Sequence, residues 1–369
     1  MSAAVAASSR LLVLTGFPAI GGPLPKLAPS MVDGFRAGGF EVAVEGWSAH
    51  TAGRESLSTK LVGRSRDLLQ VQRRIRTWRP DVVYVATAHN WPGLLRDLPL
   101  ALSVRRRRPP LVVHFHGSES HRLVAPGGEA LKRASALLVG RTDAVLLLSH
   151  EEKRQWEAFC PGPRYEVVVN PFVPVAGRAE PAPAGDEPAL LFVARLIPEK
   201  GALDLLDAFA LLRRRRPCRL LIAGTGPARD DIVRRAGLLG VADSVVLLGY
   251  VGGAELDAAY RAASAFVLPT YFPEGFPLAV MEAMGYALPI VTTRIRGCAD
   301  HLQEGRHALF VPAHDPESLA TTLERLLSDE TLRLAIGRAN VEKVAEFAPA
   351  EVIPPYVEIL RGAMIGVGS

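Results

Sequence analysis

Short apolar runs alternate with helix-length amphipathic segments along all 369 residues. The runs at 11–15, 42–45, 82–86, 111–115, 144–148 and 166–169 form one set, and those at 189–193, 219–223, 244–248, 265–268, 290–292 and 308–311 form a second. Each is rich in Val, Leu or Ile with little apolar–polar alternation, the pattern of a parallel strand covered on both faces. With helical segments between the strands, the chain predicts two doubly wound, Rossmann-like α/β sheets. Between the sets, the stretch PVAGRAEPAPAGDEP (174–188) is rich in Pro and Ala and has no period, so it reads as a linker.

Composition adds limits. With 49% hydrophobic and 22% charged residues the chain can bury a sizeable core. No apolar stretch reaches the roughly 18 uninterrupted residues of a membrane helix. The start, MSAAVAASSR, has no basic region ahead of an apolar one, and the run 11–14 is too short for a signal peptide, so a cytoplasmic protein with a frayed N-terminus is expected. Cys160, Cys218 and Cys298 are far apart and form no CxxC pair, which favours three small buried hydrophobes over a zinc or disulfide site.

Charge is uneven. Residues 1–176 hold 23 Lys+Arg against 14 Asp+Glu, and the remainder holds 20 against 24. A basic first half points to an anionic partner: membrane surface, phosphorylated lipid or nucleic acid. The arginine runs 105–108 and 213–216 each end an apolar helical segment, where the helix dipole favours cations, and the first can alternatively bind an anion. In segment 60–79, Leu68, Val71, Ile75 and Trp78 make one apolar stripe, with Arg66, Arg73, Arg74 and Arg76 largely off it. That fits a helix covering the first sheet, or one lying on anionic lipid.

The densest chemistry is in PEGFPLAVMEAMGYALPIV (273–291). Glu274 precedes Gly275, 276–285 reads as a helix, and Glu282 lies inside it. A helix N-terminus behind a glycine offers free N–H groups and partial positive charge, which suit a diphosphate. A carboxylate before it can reach a sugar hydroxyl, and one within it a ribose. The bland alternative is a cap plus an exposed helical glutamate, but the apolar surroundings of Glu282 leave little room for an exposed face. In LLFVARLIPEKGALDLLDAF (190–209), Arg195 and Lys200 flank a loop at a strand's C-terminal end, where open α/β sheets bind ligands; surface charge is the alternative. Gly224 and Gly226, in LLIAGTGP (220–227), mark a tight turn or a phosphate loop. His116 ends the strand in VVHFHGSE (112–119), as a structural residue or one facing a reacting sugar, with His114 read as core. Gly21 and Gly22 follow the first strand and permit close backbone approach, or a plain turn.

With these motifs together, the chain resembles the family-four retaining glycosyltransferases of GT-B fold (the group 1 type). The resemblance covers nearly the whole chain and is densest from 190 to 311, where ARLIPEKG, AGTGP, LGYV, PEGFPLAVMEAM and ALFVPAHDPESLA follow in order. GFPAIGG, HFHGSE and VVVNPF fall in the expected order before them, although Asn170-Pro171 stands where the family often has Asn-Gly.

The resemblance implies two Rossmann-like domains facing across a deep cleft. These would be an acceptor-side domain (1–175), a nucleotide-sugar donor domain (176–348) and a final helix (349–369) crossing back to the first. Arg195 and Lys200 match the diphosphate-binding pair, and Glu274 the carboxylate on the donor sugar. The amides of Gly275, Phe276 and Leu278 would face sugar and phosphate. Glu282 matches the ribose carboxylate, Gly249 and Tyr250 fall where backbone meets the base, and Gly224 lies in the donor turn. His116 matches a histidine near the donor sugar, and Gly21 and Gly22 the loop closing over diphosphate and acceptor. The acceptor is expected near Thr87–Asn90, with His89 and Asn90, and near Ser118 and Glu119.

The implied reaction moves a sugar with retention from a nucleoside-diphosphate sugar to a hydroxyl of a glycan or lipid-linked acceptor, as in polysaccharide or glycolipid assembly. A UDP-sugar is the first expectation for the donor and GDP-mannose the second. No tightly bound cofactor is expected. No metal motif such as DxD is seen, and Asp230-Asp231 reads as helical surface. Two competing readings are a GT-B-type sugar-nucleotide epimerase and a basic nucleic-acid-binding protein. The Arg195…Lys200 and Glu274…Glu282 set favours transfer over epimerisation. Nucleic acid is disfavoured because no recognition helix, RNP-type aromatics or zinc finger is visible. Peripheral association with the inner face of an anionic membrane is expected through the basic first half.

Overall fold

The computed structural model describes residues 8–16, 23–47, 57–103, 109–173 and 187–365. In its first set of strands, β1 (Ser9–Thr15), β2 (Phe40–Gly46), β3 (Val82–His89), β4 (Leu111–Ser118), β5 (Ala144–Leu147) and β6 (Tyr165–Val167) pair in the order β2-β1-β3-β4-β5-β6. In the second set, β7 (Ala189–Val193), β8 (Arg219–Ala223), β9 (Val245–Gly249), β10 (Ala265–Leu268), β11 (Ile290–Thr293) and β12 (Ala308–Val311) pair as β12-β11-β10-β7-β8-β9. The pairings are parallel in both sheets. The first sheet carries α1 (Pro23–Ala37), α2 (Leu57–Trp78), α3 (Trp91–Ser103), α4 (His121–Val124), α5 (Glu129–Val139) and α6 (His150–Phe159). The second carries α7 (Ala202–Arg213), α8 (Arg229–Leu238), α9 (Gly253–Ala262), α10 (Leu278–Gly285), α11 (Arg296–His301), α12 (Pro316–Ser328) and α13 (Glu330–Ala345), and α14 (Pro349–Ile365) follows.

The chain divides into two compact units. One holds Met1–Val173, Pro273–Gly275 and Phe347–Ser369; the other holds Pro174–Phe272 and Phe276–Glu346. In the first, both faces of the sheet are buried. Val71, Leu94, Leu138 and Trp156 cover one face. Met31 and Phe35 of α1 cover the other, together with Ile353, Tyr356 and Leu360 of α14. Tyr356 also donates its hydroxyl to the Val169 carbonyl at 3.0 Å. In α14 the two prolines, Pro354 and Pro355, are exposed, while Ile353, Tyr356 and Val357 face inward.

In the second unit α10 is apolar nearly all round because it is buried. Val280, Met281, Ala283 and Met284 have no exposed surface. On α13, Asn340 is also buried and donates to the Leu288 carbonyl at 2.8 Å, meeting a backbone group that water cannot reach. Asp315 and Asp329 cap α12 and α13 by accepting from Ser318 and Leu332 at 2.9 Å each.

Three local readings are corrected. Helix α10 starts at Leu278, not 276, because Pro277 forces Phe276 out of helical geometry and itself serves as the cap, with φ −64° and ψ 130°. The arginines at 213–216 do more than end a helix: Arg213 donates to the Cys218 carbonyl at 3.0 Å and Arg215 pairs with Glu324 of α12 at 2.5 Å. Cys160 is half-buried, unlike the buried Cys218 and Cys298. The run 105–108 and most of the linker lie outside the described residues.

At the C-terminal edge of the first sheet sits a buried polar cluster. Asp97 accepts from the Trp47 indole at 2.7 Å, the Thr87 hydroxyl at 2.6 Å and Arg96 Nε at 2.9 Å. Arg96 also donates to the Trp47 carbonyl at 2.9 Å and to the Thr87 hydroxyl. Asp97 is 2% exposed, so each acceptor site it offers must be filled from within the protein. Asp97→Ala leaves Arg96, the indole and the hydroxyl without their acceptor. It is expected to cost about 3 kcal/mol of stability, read as a lowered urea midpoint, with Asp97→Asn losing less.

Candidate active site

Ligands of open α/β sheets sit outside the C-terminal ends of the strands where strand order reverses. In the second sheet β8 and β9 build outward on one side of β7, and β10 to β12 on the other. The reversal lies between β7 and β10, and the loops that leave those two strands carry Arg195 with Lys200 and Phe272 with Glu274.

The loop after β7 is held tightly. Leu196, 1% exposed, donates its N–H to the Thr225 carbonyl at 2.8 Å and accepts from the Ala228 N–H at 2.9 Å. Gly224 and Gly226 make this close packing possible. Gly224 has φ +145°, and a Cβ there would lie 1.8 Å from the Ala194 carbonyl oxygen; at Gly226 it would lie 2.3 Å from that of Leu196. Their lack of side chains is therefore required by the backbone that carries Arg195. Residues Pro198–Lys200 form a 3₁₀ turn. The Glu199 carbonyl then receives the N–H groups of Tyr271 and Phe272 at 2.9 and 3.0 Å and the Thr270 hydroxyl at 3.2 Å, tying the two loops together.

Phe272 places one ring beneath both cations. Arg195 Cζ lies 5.6 Å and Lys200 Nζ 4.9 Å from its centroid. The ring's π-system attracts each cation and keeps both close to it. Arg195 is exposed and has no ion pair among the described residues, whereas Lys200 is 6% exposed. Two cations gathered this way form a receptor for a multiply charged anion. On the next loop Pro277 caps α10 without a side-chain acceptor, so the first N–H groups of the helix are not taken by a cap.

Glu282, half-buried in α10, accepts the Tyr260 hydroxyl on Oε2 at 2.8 Å. After β9, Gly249 accepts from the Gly224 N–H at 2.7 Å, and Tyr250 is 76% exposed. Phe276 is buried at 4%, while Leu278 at the start of α10 is half-buried.

The remaining expected residues belong to the first unit, which also includes Glu274 and Gly275. Both ring nitrogens of His116 are shut off from solvent. Burial pushes its pKa down to about 3, with Asn170 beside it opposing the shift. The His114 ring lies 3.8 Å from that of His116 between centroids, tilted by 40°, and shares a 2.6 Å hydrogen bond with the Tyr84 hydroxyl. Burial and the neighbouring His116 hold its pKa well below the ordinary value. His116 is thus a neutral hydrogen-bonding group at neutral pH, not a cation.

The four residues expected at the acceptor separate. His89 is 1% exposed, bonds Ser135 at 2.8 Å and Ser118 at 3.3 Å, and packs on Trp156. Ser118 is buried as well and accepts from the Trp156 indole at 3.2 Å. Both side chains face the core. Asn90 accepts from the Gly93 N–H at 2.9 Å, capping α3, and Glu119 is ion-paired with Arg122; these two lie nearer the surface. Gly21 and Gly22 lie outside the described residues. Among those residues no cluster of three or more His, Cys, Asp or Glu could hold a metal.

Sequence reasoning missed Phe272, Tyr260 and Asn170. Phe272 had a local signal, being an aromatic two residues before Glu274. Tyr260 lies 22 residues from its partner and Asn170 54 from His116, so spacing carried no hint of either.

The buried imidazoles give stability a pH dependence. In the unfolded chain they protonate below about pH 6.5, while folded His116 resists protonation down to about pH 3. The unfolded state therefore binds more protons across that interval, and stability is retained above pH 6.5 and lost as pH falls. His116 accounts for up to about 2 kcal/mol lost by pH 5, and His114, lowered for the same reason, acts in the same direction. In urea unfolding at pH 7.5 and 5.0, His116→Gln is expected to show a smaller fall than the unaltered protein.

Comparison with known proteins bears on the family and the fold. The family model of glycosyl transferases group 1 matches residues 187–329, and that of the glycosyl transferase 4-like domain matches residues 6–172. The glycogen synthase of Mycobacterium tuberculosis is 31% identical over 283 residues, covering 73% of this chain and 65% of that protein, so the chain spans about two thirds of that relative's length. Two solved structures share the fold at low identity. Sucrose-phosphate synthase from Thermosynechococcus elongatus has a TM-score of 0.79 at 16% identity, covering 97% of this chain and 100% of that one. Anabaena HepE in complex with UDP and glucose has a TM-score of 0.74 at 18% identity, covering 96% and 100%. With two doubly wound sheets and family matches along both, the chain belongs to the group 1 glycosyltransferases and has their two-domain GT-B type of fold.

Proposed function

We propose that this chain transfers a sugar, with retention, from a nucleoside-diphosphate sugar to a hydroxyl of a glycan or lipid-linked acceptor in polysaccharide or glycolipid assembly. The observation that carries the reading is that Arg195 and Lys200 both contact the Phe272 ring, where strand order reverses in the second sheet. Residues 176–348 form the donor domain, 1–175 the acceptor domain, and 349–369 the return segment; the packing of α14 on the first sheet supports this division. A UDP-sugar is the first choice of donor, supported by the UDP bound to the HepE neighbour, and GDP-mannose is the second.

As the bond to the anomeric carbon breaks, charge grows on the departing diphosphate and the sugar ring gains oxocarbenium character. Arg195, Lys200 and the N–H groups at the start of α10 stabilise the departing charge. Glu274 holds sugar hydroxyls and Glu282 the ribose. Gly249 and Tyr250 border the base, Gly275, Phe276 and Leu278 offer backbone amides, and His116 faces the sugar as a neutral donor or acceptor. The acceptor hydroxyl attacks from the face the diphosphate leaves, with a phosphate oxygen taking its proton, so no protein nucleophile is invoked. Asn90 and Glu119 are the nearer-surface candidates for contact with the acceptor.

The test combines binding and turnover. In a thermal-shift panel of UDP- and GDP-sugars, the true donor raises the melting temperature selectively because it binds the folded state. Glu274→Ala is expected to lower transfer about 100-fold or more with an unchanged melting temperature. Near-normal turnover in that variant would overturn the assignment of Glu274. Glu282→Gln raises the donor KM more than it lowers kcat.

A membrane-facing role has its own support. Helix α2 packs Val71, Leu68, Ile75 and Trp78 on the core. Its outer stripe, Val62, Arg66, Leu69, Arg73 and Arg76, is exposed; Val62 and Leu69 are 70% and 66% exposed, and these three arginines have no ion pair among the described residues. Apolar side chains flanked by cations suit the surface of an anionic bilayer. No helix among the described residues is long and apolar enough to cross a membrane. The protein is expected to float with phosphatidylglycerol vesicles at low salt, and the Val62→Asp/Leu69→Asp variant to stay behind. Failure of the unaltered protein to bind such vesicles removes this part of the reading.

A further inference from the structure

The contact between Tyr260 and Glu282 joins two helices, and its surroundings show that it is built to one geometry. The Tyr260 ring is 1% exposed and stacked between Tyr286, at 4.9 Å and 5° between planes, and Phe266, at 6.2 Å and 26°. Tyr286 is itself fixed, donating its hydroxyl to Asp257 at 2.5 Å beneath the Arg261 guanidinium, whose Cζ lies 5.5 Å from its ring. Asp257 and Arg261 form an ion pair at 2.7 Å along α9. This series of contacts leaves the Tyr260 ring little freedom, and its hydroxyl ends 2.8 Å from Glu282 Oε2 and 3.3 Å from the Ala279 carbonyl.

We infer that Tyr260 is a positioning residue for the nucleotide: by donating to Glu282 Oε2 it pins the carboxylate in the rotamer that receives the ribose diol, and so sets the preference for ribo- over deoxyribonucleotides. The inference rests on the proposed ribose role of Glu282. Tyr260 occupies Oε2 of Glu282, and no hydrogen bond to Oε1 is seen among the described residues, which leaves that oxygen for the ligand. A glutamate side chain has several rotatable bonds, and an unrestrained one loses rotamer freedom when it grips a ligand. A carboxylate already held loses less, so binding is tighter without any new contact to the ligand. Burial and the Glu282 charge raise the Tyr260 pKa well above its ordinary value. The phenol therefore stays protonated and remains a donor throughout the physiological pH range.

Tyr260→Phe removes one oxygen and keeps the stacked ring. Binding of UDP, GDP and their 2′-deoxy counterparts is measured by calorimetry on the full chain, with kcat and donor KM beside it. The unaltered protein is expected to prefer the ribo form. Tyr260→Phe is expected to weaken the ribo form about tenfold, the size of one charge-assisted hydrogen bond, and the deoxy form less than about twofold by the same reasoning. The preference then collapses while kcat at saturating donor stays close to its original value. Tyr286→Phe, which leaves the Tyr260 hydroxyl in place, keeps the preference.

A loss of affinity equal for ribo and deoxy forms marks a structural role and overturns the inference. An unchanged preference overturns it too, while leaving the donor-site reading intact. If the unaltered protein binds nucleotides without ribose preference, the role of Glu282 fails first; if it binds no nucleoside diphosphate, the proposed function fails with it. Should Tyr260→Phe not fold, 3-fluorotyrosine at position 260 preserves the packing and strengthens the donor. A raised ribose preference then supports the inference, and an unchanged one rejects it.

Discussion

The carbonyl oxygen of Glu199 accepts three hydrogen bonds from the loop that follows β10, and the candidate donor groups depend on that junction. β7 and β10 are neighbours in space but far apart in sequence, and what leaves their C-terminal ends has to be brought into register. One carbonyl joins the loops. The glycines at 224 and 226 let the next loop close in behind, and Phe272 draws Arg195 and Lys200 to one ring. Without this bracing the two loops would be free to part. With it both cations stay beside the same ring.

The two units solve the problem of placing polar groups near an apolar sheet in different ways. The second gathers cations at its edge and steadies them with an aromatic ring. The first buries imidazoles, two of which, His89 and His114, meet hydroxyl partners within the protein. His89 is held by Ser118 and Ser135, and His114 by Tyr84. The ion pair it does bury, Asp97 with Arg96, is wrapped by an indole and a hydroxyl so that the desolvated carboxylate is met on both oxygens. Charged groups and uncharged polar groups thus stand in environments of different polarity.

Legibility followed the range of the forces involved. The strands were readable because a parallel strand covered on both faces must be apolar throughout, and that is a local property of the chain. Where strands ran past their apolar stretch the pattern failed. β3 and β4 extend through Thr87, His89, His116 and Ser118; Thr87, His89 and Ser118 stay in the sheet because they bond one another or their neighbours, as His89 does with Ser118 opposite it in register. His89 looked like a surface ligand for the same reason: its partner Ser135 is 46 residues away, on α5. The start of α10 was displaced by Pro277, a local rule that yields the correct cap once applied.

The sequence by itself determined the two sheets, the break between them, the family, and the residue types that cluster at strand ends. These follow from composition and spacing over a few residues. Only the tertiary structure decided which polar groups face the core, which loops meet, and which side chains stand behind the candidate ligands. Phe272 beneath Arg195 and Lys200, Tyr260 against Glu282, and Asn170 beside His116 join residues that spacing does not relate. Burial and hydrogen bonding are settled where separate segments come together, and a side chain's role depends on the partners it meets there.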